Sequence, residues 1–176
     1  MREPATVPLD RRACLHAGLA AALGVPAWAA AQEGAAAPPL TLSTSTGEPV
    51  LPDPGAGAPP PWRALYLDFW ASWCGPCKLS FPWMNELHDR YRAAGLRIVA
   101  VNLDARLQDA QDFLARTPAR FALAFDAVGD SARAFGVKAM PSSWLIAPDR
   151  RVLLAHRGFR SDDRAGLERR IAAALA

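Results

Sequence analysis

The chain has 176 residues, 51% hydrophobic, 21% charged and 9% aromatic, the profile of about one globular domain rather than a disordered chain. Its formal charge is +3, and the basic residues, all arginine except Lys78 and Lys138, are scattered. A nucleic-acid groove needs them gathered on one face and is not indicated. Three cysteines are too few to staple a small disulfide scaffold, and a chain this long buries a core without staples.

Residues 1–31 read as an export signal, with Arg2, Arg11 and Arg12 ahead of an apolar stretch from Ala13 to Ala27 and small residues after it. A cut after Ala29-Ala30-Ala31 or after Ala27-Trp28-Ala29 satisfies the small-x-small rule. The apolar stretch holds His16 and Pro26 and falls short of the roughly 20 residues that span a bilayer, so cleavage is expected over an uncleaved anchor. Cys14 leaves with the signal. Arg11-Arg12-Ala13-Cys14-Leu15 resembles a twin-arginine export signal, so the route stays open between that and the general one.

Residues 32–39, rich in Ala and Pro, read as a flexible linker, and a domain over 40–176 follows. Leu40 to Ser43 alternates weakly enough for an edge strand, Gly47-Glu48-Pro49 turns the chain, and Pro52 to Pro61 is a loop with too many missing N–H donors for a ladder. Leu65 to Trp70 reads as a central strand ending at Cys74-Gly75-Pro76-Cys77. Phe81, Met84, Leu87 and Tyr91 then fall at helical spacing up to Gly95, with Pro82 inside the helix. A strand over Arg97 to Leu103 precedes a helix with Leu107, Ala110 and Leu114 on one face, stopping before Pro118. A short extended piece over Phe121 to Phe125 and a short helix over Ser131 to Phe135 come next. Ser142 to Ile146 and Val152 to His156 form a hairpin around Pro148-Asp149. The last helix is expected to be capped by Ser161 and to bury Leu167, Ile171 and Leu175. That order requires an α/β fold, a central mixed sheet with helices on both faces.

The chemistry concentrates at Cys74 and Cys77. Two cysteines three residues apart at a helix start can close a small disulfide ring, and the helix N-terminus favours the first sulfur as thiolate. Cys74 is therefore expected to attack, while Cys77, one turn inward and shielded, resolves. Gly75 supplies backbone freedom, and Pro76 lacks an N–H that a helix start would leave unpaired.

From Asp68 through Trp70, Trp73 and Cys74-Gly75-Pro76-Cys77 to Lys78, this segment resembles the thioredoxin active site almost letter for letter. The resemblance continues through Phe81-Pro82, Val101-Asn102-Leu103-Asp104 and Val137-Lys138-Ala139-Met140-Pro141. With the export signal and Gly47-Glu48-Pro49-Val50, the chain is most similar to the TlpA/ResA-like thiol-disulfide oxidoreductases of the thioredoxin superfamily. The resemblance implies a thioredoxin fold, a periplasmic protein-disulfide reductase, no cofactor and no metal. It implies as partners client proteins with disulfides, in cytochrome c or copper-centre assembly, and a membrane thiol donor of the DsbD kind; a monomer is expected. It also implies that Pro141 is cis and faces the cysteines, so that the Met140 backbone pairs with an extended client segment.

Two positions depart from the pattern. Ser80 stands where many ResA-like relatives carry Glu, and Asp68 resembles thioredoxin's own buried proton acceptor where many exported members have Asn. Ala100 takes the place of the Lys that thioredoxin sets near that Asp. A carboxyl near the end of an apolar strand, with no cation beside it, resists ionising and is suited to exchange protons with Cys77. Plainer readings stand beside these. Asp68 caps a strand end, Trp70 is ordinary core while Trp73 shapes a docking surface, and His88 and His156 lie on the surface. Structural zinc lacks a second cysteine pair. The rival function is a Cu(I)-binding assembly factor that uses both cysteines with Met84, Met140 or His156 as third ligand.

Overall fold

The structure is a computed structural model that describes residues 31–53 and 59–176. The export signal, apart from Ala31, and the centre of the Pro/Gly-rich loop lie outside the described residues. Among those residues, no helix is long and apolar enough to cross a membrane.

The central apolar run becomes β1 (Ala64–Trp70), every residue of which is buried. The cysteine pair leads into α1 (Cys77–Tyr91), which a 3-10 turn over Arg92–Ala94 extends to Gly95. There φ is +98°, and a Cβ would sit 2.7 Å from Arg63 Cγ, so both the backbone and the neighbour require glycine. β2 (Leu96–Asn102), α2 (Leu107–Arg116), β3 (Ala122–Phe125), α3 (Asp130–Phe135), β4 (Ser142–Ile146), β5 (Val152–Arg157) and α4 (Arg164–Leu175) follow.

The five strands stand in the order β3-β2-β1-β4-β5. β1 is parallel to β2 and β2 to β3, while β4 is antiparallel to both β1 and β5, so the sheet is mixed as expected. Alternation along β1 sends Tyr66 and Trp70 into one core, with α1, α2 and α4, and Leu65, Leu67 and Phe69 into the other, with α3 and the N-terminal segment. In the first core Trp70, Phe81 and Phe113 pack with ring centroids 4.8–5.1 Å apart, directly behind the cysteines.

Four expectations are corrected. Residues 32–39 are not a tether with nothing to bury. Ala37 is buried, Gly34 N–H donates to Val152 O, Val152 N–H donates to Ala35 O, and Ala36 bridges to Arg151 along the free edge of β5. An unpaired edge offers hydrogen bonds that composition does not register. Leu40 to Ser43 is not a strand; single bridges, Ser43 to Pro49 and Thr44 to Ala124, the Val50 N–H donating to the Leu42 carbonyl, and Leu40 and Leu42 against the second core hold this stretch. The face of α2 is shifted from the one expected: Ala110 is buried and Leu114 packs partly buried against the core, but Phe113 is the large buried side chain and Leu107 is 52% exposed. Ser161 opens a 3-10 turn over Ser161–Asp163, and the cap comes from the Asp163 carboxylate, which accepts the Arg160 N–H at 2.7 Å.

Candidate active site

β1 ends one residue before the loop that carries the cysteines, and Asp104 fixes that loop. Its carboxylate accepts the Ser72 N–H at 2.9 Å, the Ser72 hydroxyl at 3.0 Å and the Asn102 side-chain amide at 2.8 Å, and its own N–H donates back to Asn102. A buried carboxylate with this many donors is fully satisfied. The sequence places Asp104 in the resembled segment but does not disclose this role, because it depends on the parallel β1–β2 register that brings residues 72 and 104 together.

Cys74 and Cys77 are joined in a disulfide, with Cα atoms 5.3 Å apart. Contrary to the expectation that both lie in the first helical turn, α1 starts at Cys77 with Pro76 as its cap, and Cys74 occupies the turn before it. The helix still addresses that sulfur, because the Cys77 N–H donates to Cys74 Sγ at 3.2 Å. Cys77 is wholly inaccessible, and Cys74 keeps a 3% opening beside Trp73, which is 72% exposed. Gly75 does not adopt a left-handed conformation, so the freedom expected of it is unused. A Cβ there would meet nothing within 4 Å, so the backbone of Gly75 faces open space. The Met140–Pro141 bond is cis, and Gly158 N–H donates to the Pro141 carbonyl at 2.7 Å. Ser80 is buried, its hydroxyl donating to the Cys77 carbonyl, so no titratable group stands at that position.

Asp68 is 1% exposed, on the sheet face that α1 covers. Its register partners are Ala100 on β2 and Ser143 on β4, so the cation of thioredoxin is absent and a hydroxyl stands on the other side. Ser143 Oγ donates to Oδ1 at 2.7 Å, while Oδ2 is buried without a partner. Burial pushes the carboxyl up to about 7, and the Ser143 bond opposes that rise. Ser143 was not singled out from the sequence. A polar residue in an apolar strand two positions after Pro141 was the available signal, but its face depends on the β1–β4 register. His156 does not simply face outward; its Nε2 lies 3.5 Å from Asp163 Oδ2. Met84, a candidate copper ligand, is wholly buried in the core, and Met140 is partly buried against it.

This geometry holds a closed cysteine pair at a helix N-terminus beside an exposed indole, and a cis-proline turn leads into β4. A family model described as Redoxin matches residues 32–171. The chain belongs to the Redoxin family. Among curated relatives it resembles the thiol-disulfide oxidoreductase ResA of Bacillus thuringiensis subsp. konkukian, 32% identical over 96 residues, which are 54% of this chain and 56% of that protein. ResA of Bacillus subtilis is 28% identical over 121 residues, 69% of this chain and 65% of that protein. The chain thus spans about half the length of the first of these relatives. A solved structure assigned as the thiol:disulfide interchange protein DsbE of Chlorobium tepidum is 46% identical, with a TM-score of 0.73 over 82% of this chain and 99% of that one. The fold of this Redoxin-family chain is accordingly thioredoxin-like, a mixed five-stranded sheet flanked by helices.

Proposed function

We propose that this chain is an extracytoplasmic thiol-disulfide oxidoreductase that reduces disulfides in client proteins through Cys74 and Cys77. The Cys74–Cys77 disulfide at the start of α1, beside the exposed Trp73, is the observation that carries this reading. The names of its relatives, thiol-disulfide oxidoreductase and thiol:disulfide interchange protein, support it. No observation favours the copper-binding alternative.

In the proposed cycle the reduced protein meets a client disulfide. The Cys74 thiolate, helped by the Cys77 N–H and the helix N-terminus, attacks one client sulfur, and the other client sulfur leaves as thiolate. Trp73, Gly75, Pro76 and the backbone of Met140 beside cis-Pro141 form the surface on which the client segment lies. Asp68, through a water, accepts the proton of Cys77. The resulting thiolate attacks Cys74, the bond from Cys74 to the client breaks, and the internal disulfide closes as the reduced client leaves. Two electrons pass from the protein to the client, and a membrane thiol donor of the DsbD kind returns them. Clients in cytochrome c or copper-centre assembly, and action as a monomer, belong to the same proposal. The test of the function is the reduction potential of the pair, which should lie near that of thioredoxin and far from that of an oxidant.

Export belongs to the same reading and rests on the basic-apolar-small order of residues 1–31. Of the two cuts, the one after Ala29 fits the fold better, because the Ala31 carbonyl accepts the buried Trp144 Nε1–H at 2.7 Å. A cut after Ala31 would leave that donor unpaired, at a cost of about 1–3 kcal/mol. Mass spectrometry of the extracytoplasmic protein should find a start at Ala30, without Cys14. A full-length protein held in the membrane would contradict export with cleavage.

A further inference from the structure

Asp68 has a different neighbour on each side. β2 presents Ala100, β4 presents Ser143, and β1 itself places Tyr66 two residues back on the same face. Beyond Ser143, β5 sets His156 in register, turned toward Asp163. α1 covers this face with Cys77 and Phe81, and α4 covers it with Leu167 and Ile171. The hydrogen bond to the carboxyl comes from Ser143 to Oδ1, and Oδ2 is buried with nothing to accept from or donate to. The two oxygens of the carboxylate are thus made unequal.

Ser143 has one hydroxyl proton, and giving it to Asp68 leaves its lone pairs free to accept. Burial and the nearby Asp68 charge hold the Tyr66 phenol well above its usual range, so it keeps its proton. The Ser143 proton is therefore committed to Asp68 Oδ1.

We infer that Ser143 is a positioning residue that reserves Oδ2 of Asp68 for the proton leaving Cys77 and holds the carboxyl oriented to take it. The inference rests on the proposed role of Asp68 as proton acceptor. In the step concerned, the Cys77 S–H proton passes to Oδ2, directly or through a water, giving a neutral carboxyl and a Cys77 thiolate. The thiolate forms the S–S bond to Cys74, and the client sulfur departs with the electron pair of the bond that breaks. Because the Ser143 bond favours the charged carboxylate, it also keeps enough of Asp68 ionised at neutral pH to act as base.

The experiment mixes the reduced protein with an excess of an aromatic disulfide whose released thiolate absorbs. The first thiolate reports attack by Cys74 and the second reports resolution by Cys77. Ser143→Ala should leave the first phase unchanged, slow the second about tenfold at pH 7, and move its pH profile upward by about one to two pH units. Ser143→Thr, which keeps the hydroxyl, should restore both rate and profile. A carbon-13 titration of the Asp68 carboxyl should show the same upward shift in Ser143→Ala. Asp68→Asn run alongside separates the two claims. A slowed second phase in Asp68→Asn beside an unchanged profile in Ser143→Ala overturns the inference alone. An unchanged second phase in Asp68→Asn removes Asp68 from the reaction and the inference with it.

Discussion

Cys74→Ser abolishes disulfide reduction, while Cys77→Ser retains the attack and accumulates mixed disulfides with clients. This expected result follows from the unequal settings of the two sulfurs. Cys74 lies outside α1, accepts the Cys77 N–H at 3.2 Å and keeps a narrow opening beside exposed Trp73. An N–H aimed at a sulfur at a helix N-terminus stabilises it as thiolate, which is the attacking species. Cys77 is wholly inaccessible and reaches no client directly, but it stands three residues from the Cys74 sulfur it must attack. Without Cys77 the mixed disulfide has no internal nucleophile and persists. Non-reducing gels of each variant incubated with a disulfide-bearing protein check this. Trapped species appearing with Cys74→Ser would reverse the two roles.

Asp68→Asn should slow client release by about a hundredfold at neutral pH, the usual range for losing a positioned base. The gap should narrow above roughly pH 9, where a thiol of ordinary pKa near 8.5 ionises unaided. The same variant should stabilise the fold. Unfolded, the carboxyl ionises near 3.8; folded, burial holds its proton until about 7. Between those values the native state binds more protons than the unfolded state, so this group's stabilisation, fully present below about 4, is lost as pH rises to about 7. Three pH units correspond to a loss on the order of 4 kcal/mol. Asn removes that slope, but its amide inherits the lack of a partner at Oδ2, which leaves a net gain of about 2 kcal/mol at pH 8 and none near pH 4. Denaturant unfolding at the two pH values measures it. Equal stability of variant and wild type at pH 8, together with an unchanged release rate, would remove Asp68 from the mechanism.

The parts of the fold legible in the sequence are those where pattern and local chemistry agree. The apolar run at 65–70, the spacing of Phe81, Met84 and Leu87, Gly95 and Gly136 as helix stops, and the hairpin around Pro148 all stand within a residue or two of expectation. The cysteine pair was legible because its spacing and turn residues are local. Contacts that depend on register were not legible. Ser143 meets Asp68 only because β4 runs antiparallel to β1 at one alignment, and Asp104 reaches Ser72 only across the parallel β1–β2 pair. Composition misled at residues 32–39, where backbone hydrogen bonds to β5 hold an Ala/Pro segment that has few apolar side chains to bury. Periodicity misled at one position of α2, where Leu107 fits the stripe of Ala110 and Leu114 but stands exposed while Phe113 meets the core.

Equilibration of the Cys74–Cys77 pair against glutathione or dithiothreitol buffers, read by thiol trapping, tests the reductant reading most directly. With Gly75-Pro76 between the sulfurs, the resemblance to thioredoxin predicts a reduction potential close to its roughly -270 mV. Oxidants of the DsbA kind stand near roughly -120 mV, and about 30 mV corresponds to about 1.4 kcal/mol for a two-electron couple, so the two outcomes lie about 7 kcal/mol apart. A value near the thioredoxin end is expected, and a value near the oxidant end would contradict the account and make the protein a donor of disulfides.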